Sequence, residues 1–368
     1  MLVVTTTLAV GCRVTPPPVA VASSYGIARA STEKEARQVA TWIRELVPEI
    51  RAMVPGTVQL QPDVWVQDKI RIRAFHDVPD DVSGITIGKA RILIRSDDEH
   101  QRETLCHELV HHLLDASWST LPTVVEEGLC EKVSEELAAI DATEFRSRRL
   151  ATALQYFGGI QGTVAVRYRA TDGTEVHASI PFESEPDLGG GADPKEALAL
   201  EGGYTQITSG KIGGFHYAFG YWLVDRIVRR GDYRVLHELA RSAGAQGLSL
   251  VPVDWVIEAA ELGDDTRKWR DELLRRIGPA EVNYIAREIS DALADRIADY
   301  LDEYLPQQTR IGRSLDGLAV ELVIEGGAYV SAAELVDFRA RLLDRLESRG
   351  RVEPETPTEP VMKTEPAS

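Results

Sequence analysis

Apolar residues recur at helical spacing in several stretches of the chain. From Ser31 to Met53 they return every three or four positions, which predicts an amphipathic helix. Ser96 stands three residues before Glu99 at the start of a second periodic stretch, so a capping box with Ser96 as the N-cap is expected to open a second helix. A third helix is predicted from Pro122 to about Ile140.

Alternating apolar and polar residues predict strands in other stretches. Residues 64–75 alternate well enough for one or two strands, and residues 85–94 are typical of a strand pair with Gly88 in the bend. Residues 163–182 alternate on either side of the pair Asp172-Gly173, which is a strong hairpin turn. A β-hairpin is therefore expected near the middle of the chain.

The second half of the chain is mainly helical in its pattern. Helices are expected over 215–229, over 233–242, within 264–305 and over 331–348, with one short strand at 320–324. A small mixed sheet is expected first, and a mainly helical lobe after it. The predicted fold class is therefore α+β.

Composition narrows the function classes. The 368 residues include 41 Lys+Arg and 58 Asp+Glu, a formal net charge of −17. This balance argues against a nucleic-acid partner, because phosphate contacts need clustered basic residues. A hydrophobic fraction of 43% is typical of a globular chain, no apolar run reaches the length of a membrane span, and three cysteines cannot form a disulfide framework.

The first twelve residues, MLVVTTTLAVGC, are apolar and end in small residues before Cys12. They resemble a bacterial lipoprotein signal, which implies a lipid on Cys12 and a place at the cell envelope, on its periplasmic or extracellular face. The small and proline residues that follow, to about residue 24, are typical of a tether. The alternative is an apolar N-terminus with a chance cysteine, which leaves the protein cytoplasmic.

The residues His107-Glu108-Leu109-Val110-His111 carry the clearest chemical signal. Two histidines four positions apart lie on one face of a helix and can reach one metal ion, and Glu108 beside them is placed to act as a general base on water. The extended pattern with a third histidine is absent, because Leu114 and Ser117 stand where it needs glycine and histidine. The third ligand is therefore expected from a second helix.

The segment Glu127-Gly128-Leu129-Cys130-Glu131 supplies that ligand by resemblance. Together with the histidine motif it resembles the gluzincin metallopeptidases, the clan of thermolysin and aminopeptidase N, in which a glutamate directly before glycine is commonly the third ligand. The resemblance implies Glu127 as the ligand rather than Glu126 or Glu131. It implies a supporting role for Glu131, whose carboxylate would hydrogen-bond a ligand histidine and fix its tautomer.

A weaker part of the resemblance lies at Tyr217-Ala218-Phe219-Gly220. Aminopeptidase-like gluzincins carry Tyr-x-x-Gly at the start of a later helix, and the tyrosine donates to the oxyanion of the tetrahedral intermediate. The resemblance implies this role for Tyr217. His216 and Tyr204 are the alternatives, since a histidine or tyrosine serves it in other zincins.

The resemblance implies a zincin-like core that binds one Zn²⁺ and hydrolyses peptide bonds, as an endopeptidase of the cell envelope. Its edge strand, expected at about Arg91 to Arg95, would pair with an extended peptide or protein substrate. The competing hypothesis is a catalytically idle or non-peptidase lipoprotein of the same fold that acts as a binding or scaffold protein.

Six segments are expected on this basis. They are a signal and proline-rich tether (1–30), a zincin-like catalytic core (31–162), a β-hairpin insertion with a glycine-rich loop (163–200), a helical lobe that completes the active site (201–264), a C-terminal helical appendage (265–350) and a disordered tail (351–368).

Overall fold

A computed structural model describes most of the chain between residues 16 and 350. The described residues are 16–68, 82–157, 161–169, 173, 175–183, 194–199, 210–278, 280–281, 284, 290–304, 319–324, 329–331 and 336–350. The chain divides into two compact units, Met1–Gly158 with Pro186–Leu273 and Gly159–Glu185 with Leu274–Ser368. Cys12, Tyr204, the second half of the predicted strand region 64–75 and the tail 351–368 lie outside the described residues.

The first unit contains a five-stranded mixed sheet. Its strands are β1 (Val19–Ala22), β2 (Ile27–Ala30), β3 (Asp63–Gln67), β4 (Gly84–Ile87) and β5 (Arg91–Arg95). The spatial order is β1-β2-β3-β5-β4, with β2, β3 and β5 parallel and the two outer strands antiparallel to their neighbours. The central residues of β3 and β5 are buried, which explains their apolar runs.

The strand pair predicted at 85–94 is confirmed, but the strand at the edge of the sheet is β4 and not β5. Gly88 has φ +55°, a left-handed conformation that glycine adopts without strain, and the turn there folds β4 back along β5. Strand β5 is thereby enclosed between β3 and β4. The prediction that Arg91–Arg95 forms the edge is wrong, and β4 holds that place.

Nine α-helices of the described residues begin in the first unit. They are α1 (Glu33–Met53), α2 (Gln101–Leu113), α3 (Thr123–Leu137), α4 (Ala142–Tyr156), α5 (Pro194–Ala199), α6 (Gly210–Gly231), α7 (Tyr233–Ala245) and α8 (Val253–Ala259), and α9 (Thr266–Leu274) reaches the boundary. The predicted first and third helices are confirmed as α1 and α3. The predicted helix at 215–229 begins earlier, at Gly210.

The capping box predicted at Ser96 is wrong. Helix α2 begins five residues later, and its N-cap position holds His100, whose side chain makes no capping hydrogen bond. The Ser96 backbone N–H instead donates to Gln67 O at 3.0 Å and extends the pairing of β5 with β3. Asp98 takes over at the helix start, because its carboxylate accepts from the His100 N–H at 2.9 Å and from Thr104 Oγ1 at 2.6 Å.

Helices α3 and α6 cross in direct backbone contact. A Cβ atom built on Gly128 would clash with the backbone carbonyl group of Gly220, and one built on Gly220 would clash with the carbonyl oxygen of Val124. Only a pair of glycines permits this approach. The crossing brings the helix that carries Tyr217 against the helix that carries Glu127.

We expect Gly128→Ala to destabilise the fold by about 1–3 kcal/mol, because the new methyl group forces the two backbones apart. Gly244→Ala is the matched control: this helical glycine has only Thr120 Cγ2 nearby, at 3.9 Å, so alanine there is expected to stabilise by roughly 0.5–1 kcal/mol. Denaturant unfolding measures both changes in the free energy of unfolding. A Gly128→Ala protein as stable as wild type would contradict the close crossing.

The second unit contains a four-stranded antiparallel sheet in the order β7-β6-β8-β9. The predicted hairpin is confirmed as β6 (Gln161–Arg169) and β7 (Glu175–Glu183), and β6 also pairs with β8 (Ala319–Ile324), which pairs in turn with β9 (Tyr329–Ser331). Helices α10 (Ser290–Tyr304) and α11 (Val336–Ser348) pack together. The sheet thus joins the hairpin, expected as a separate insertion, to the C-terminal part of the chain.

Candidate metal centre

Helix α2 carries the two motif histidines into the interior of the first unit. Its apolar residues pack on β4 and β5, and another face packs on α3. At the C-terminal end of α2, Lys89 from the β4–β5 turn donates to the carbonyl oxygens of His111 at 2.8 Å and Leu114 at 2.6 Å. These bonds satisfy carbonyl groups that a helix end leaves unpaired, and they fix the end of α2 beside the centre.

Three potential ligand atoms converge between α2 and α3. Glu127 Oε2 lies 3.0 Å from His107 Nε2 and 3.3 Å from His111 Nε2, and the two Nε2 atoms lie 3.2 Å apart. Two ligand atoms on one tetrahedral zinc ion, each about 2.0–2.1 Å from it, are expected to be about 3.3 Å apart. The spacing of the three atoms therefore fits a single zinc-sized ion.

Electrostatics favour a cation at the same point. Although burial opposes the charged form, hydrogen bonds that His107 donates to the carboxylates of Glu127 and Glu131 raise its pKa to about 9. Burial likewise opposes ionisation of Glu127, yet the adjacent His111 and His107 imidazoles hold the pKa of its carboxyl well below the usual range. Protons held by the imidazoles must leave before a metal binds, so metal binding releases protons.

The Glu131 carboxylate contacts Nδ1 of His107, the ring nitrogen that is not part of the ligand cluster. Its Oε1 lies 3.2 Å from His107 Nδ1, and Arg149 of α4 donates from Nε to its Oε2 at 2.5 Å. A neutral His107 that keeps its proton on Nδ1 donates to this carboxylate and leaves the Nε2 lone pair facing the ligand cluster. The resemblance implies this supporting role for Glu131, and the structure places its carboxylate within hydrogen-bond distance of His107 Nδ1.

Glu126 supports His111 in the same way. Its Oε1 lies 2.8 Å from His111 Nδ1, so both imidazoles are oriented by carboxylates of helix α3. The sequence reasoning treated Glu126 only as a rival ligand. Its side chain is 34% exposed, unlike the buried Glu131, so it reaches the histidine from the solvent side.

We expect Glu126→Gln to weaken zinc affinity by roughly 10–100-fold, because an amide orients the imidazole less firmly and supports its basicity less. The metal-free protein is expected to unfold at an unchanged temperature. Competition with a chelating dye measures the affinity. Glu136→Gln is the control, because Glu136 lies on the same helix, is 33% exposed and pairs with Lys132 rather than a histidine. Equal affinities in the two variants would contradict the supporting role.

Glu108 lies at the inner end of a cleft next to the ligand cluster. Its Oε2 accepts from Thr86 Oγ1 on strand β4 at 2.7 Å. Burial raises the pKa of its carboxyl above the ordinary value. A carboxylate in this environment is more basic than a solvated one, which suits proton transfer near neutral pH.

The cleft has a volume of about 310 Å³, and Tyr217 lines it together with His107 and Glu108. The Tyr217 ring lies edge-on to the His107 ring, with 5.6 Å between centroids. His216 is buried on the same helix, and Tyr204 is outside the described residues. The cleft is lined by residues of β4, α2, α3, α4 and α6 and of the segments just before β4 and α2: Ser83, Gly84, Asp98, His100, Glu103, Thr104, His107, Glu108, Glu131, Ser134, Phe145, Arg148, Arg149 and Tyr217.

Cys130 adds a second potential ligand set. His107, His111 and Cys130 each place one ligand atom within 4.8 Å of the other two. Burial raises the pKa of the Cys130 thiol to about 12, so it is protonated in the metal-free chain. The Glu127 carboxyl has a lowered pKa and its Oε2 lies 3.0 and 3.3 Å from the two imidazole Nε2 atoms, which makes it the better third ligand of the two.

Three supporting residues were missed by the sequence reasoning: Glu126, Arg149 and Thr86. Glu126 carried a usable signal, since a carboxylate next to the third ligand can reach the second histidine. Arg149 and Thr86 lie on elements that meet the centre only through tertiary packing, so no sequence spacing identifies them.

Comparisons with protein-family models, with curated proteins and with solved structures find no match for this chain. Among the described residues, no helix is both long enough and apolar enough to cross a membrane.

Proposed function

We propose that this protein is a zinc-dependent metallopeptidase with a gluzincin-type centre and a zincin-like core. The observation that carries the proposal is the convergence of His107 Nε2, His111 Nε2 and Glu127 Oε2 at 3.0–3.3 Å, beside the buried carboxylate of Glu108. Three protein ligands leave a fourth position for water or substrate, which is the arrangement of catalytic rather than structural zinc.

The residues around that position have separate roles in amide hydrolysis. Bound zinc supplies Lewis acidity, which acidifies water and polarises a carbonyl oxygen. Glu108 accepts the proton from the attacking water and passes it to the leaving amine. Tyr217 donates a hydrogen bond to the oxyanion that forms as the water adds to the carbonyl carbon. Glu131 and Glu126 hold the two imidazoles in place.

The edge of the sheet supports a peptide as the substrate. Strand β4 is the outer strand next to the cleft. Gly84 of β4 lines the cleft, and Thr86 of β4 donates a hydrogen bond to the Glu108 carboxylate. An extended peptide can add to such an edge through main-chain hydrogen bonds, which places a scissile bond over the cleft. With a lipid on Cys12, the protein would act on peptides or proteins at the bacterial cell envelope.

The test is hydrolysis of a mixture of unstructured peptides by the full chain. We expect cleavage at internal peptide bonds, loss of cleavage when a chelator removes the metal, and recovery when zinc is restored. A zinc-loaded, folded protein that leaves every peptide intact would contradict the proposal.

A second candidate function rests on the Cys130 thiol near the two imidazoles. If Cys130 joins His107, His111 and Glu127 as a fourth ligand, the ion is enclosed and structural, and the protein is a binding or scaffold protein. The cobalt-substituted protein separates the two. A strong thiolate-to-cobalt absorption band that disappears in Cys130→Ser indicates the structural site, and its absence indicates the open one.

A further inference from the structure

We propose that Tyr221 is a positioning residue that sets the rotation of helix α6, so that Tyr217 faces the metal centre. The inference rests on the proposed function, because it assigns Tyr217 to the oxyanion. It concerns a buried polar cluster, formed by Tyr221, Asp225, Lys132 and Glu135, that the proposed chemistry does not itself use.

Helix α6 has no distinct polar face in its central part. Every residue from Ala218 to Ile227 is buried, including the aromatic side chains of Phe219, Tyr221 and Trp222. A helix that is buried all round has no solvent-facing polar side that would select its rotation. The Gly128 contact places Gly220 against α3, but apolar packing around it does not fix the finer rotation that directs Tyr217.

The buried polar cluster makes that selection. Tyr221 Oη donates to Glu135 Oε2 at 2.9 Å, and Lys132 Nζ pairs with the same carboxylate and with Asp225 Oδ1 at 3.2 Å. These side chains come from α3 and α6 and are almost completely buried. Any other rotation of α6 would leave buried charges and a hydroxyl group without these partners, which is strongly unfavourable.

The spacing along α6 connects the cluster to the centre. Tyr217, Tyr221 and Asp225 are four residues apart and lie on one face of the helix, and Tyr217 is one turn from the tyrosine that contacts Glu135. The contact of Gly220 with Gly128 holds the backbones close at this point. The rotation that joins Tyr221 to Glu135 is the one that brings the Tyr217 ring to 5.6 Å from the His107 ring.

Tyr221→Phe isolates the positioning role. It removes one hydroxyl group and keeps the ring, and Glu135 retains its ion pair with Lys132, so the protein is expected to fold and to bind zinc as wild type does. Without the hydroxyl bond, the Lys132–Asp225 pair still joins α6 to α3, but the turn of α6 that carries Tyr217 gains rotational freedom. We expect kcat to fall roughly tenfold to a hundredfold with little change in KM, because small misplacements of a reacting group have effects of that size.

The decisive experiment is a double-mutant cycle between Tyr217 and Tyr221. Tyr217→Phe is expected to lower kcat about 10²-fold or more. If Tyr221 acts through Tyr217, the double variant is no slower than Tyr217→Phe alone. Independent losses that multiply in the double variant, or an unchanged kcat in Tyr221→Phe, would overturn the inference.

A second measurement does not depend on turnover. In protein labelled with 3-fluorotyrosine, the signal that disappears in Tyr217→Phe is assigned to Tyr217, and zinc is added to the metal-free chain. We expect zinc to shift this signal in wild type and to shift it much less in Tyr221→Phe. Equal shifts in both proteins, or no shift in wild type, would overturn the inference. A zinc-loaded wild type that shows the shift but cleaves no peptide would contradict the proposed function and leave the positioning of Tyr217 intact.

Discussion

Glu108→Gln is expected to abolish nearly all peptide cleavage while the protein keeps its metal. The amide has the size of the carboxylate and can still receive the hydrogen bond from Thr86, but it cannot take up a proton. Since a general base contributes about 10²–10⁴-fold, kcat should fall by that factor. Zinc content should stay at one ion per chain, because Glu108 is not one of the converging ligands.

Glu99→Gln serves as the control for this variant. Glu99 is an exposed glutamate just before helix α2, so the same chemical change there should leave both kcat and zinc content unchanged. Steady-state kinetics on the best peptide substrate and metal analysis of the same samples give the two readouts. A Glu108→Gln protein that turns over at the wild-type rate would contradict the assignment of Glu108 as the general base.

Glu127→Ala is expected to lose the metal. Its Oε2 contacts both imidazoles at 3.0 and 3.3 Å, and without it only two protein ligands remain of the three. The loss of zinc affinity should exceed the roughly 10–100-fold expected for the supporting carboxylates Glu126 and Glu131. The fold should persist, because the carboxylates of Glu131 and Glu126 still hold the two imidazoles.

Cys130→Ser is the matched variant for this prediction. If Glu127 is the third ligand, Cys130→Ser binds zinc almost as tightly as wild type and Glu127→Ala does not. The reverse result would make the thiol the ligand and would contradict the assignment of Glu127. Chelator competition on the four proteins, wild type, Glu127→Ala, Cys130→Ser and Glu126→Gln, orders the ligands by their effect.

Much of the candidate centre could be predicted from the sequence because its signals are local. His107 and His111 are one helical turn apart, and Glu127 and Glu131 repeat that spacing on the next helix, so the periodicity alone puts each pair on one face. Helix α1 and the hairpin β6–β7 were predictable for the same reason: their pattern and turn residues lie within one segment.

The features that could not be predicted depend on tertiary contacts. The edge strand was misassigned because β4 and β5 are both short apolar runs, and only their pairing with β3 decides which one is outside. The start of α2 was misplaced because Ser96 continues a sheet hydrogen bond rather than capping a helix. The contacts of Arg149 with Glu131 and of β8 with β6 join residues far apart in the chain.

The most direct test of the central claim is X-ray absorption at the zinc edge on the purified full chain, with metal content determined on the same sample. We predict one zinc per chain, bound by nitrogen and oxygen atoms at about 2.0–2.2 Å, with no sulfur neighbour. A sulfur atom at about 2.3 Å would place Cys130 on the ion and make the site a closed, structural one. A folded protein that binds no zinc when it is supplied would contradict the metal centre itself.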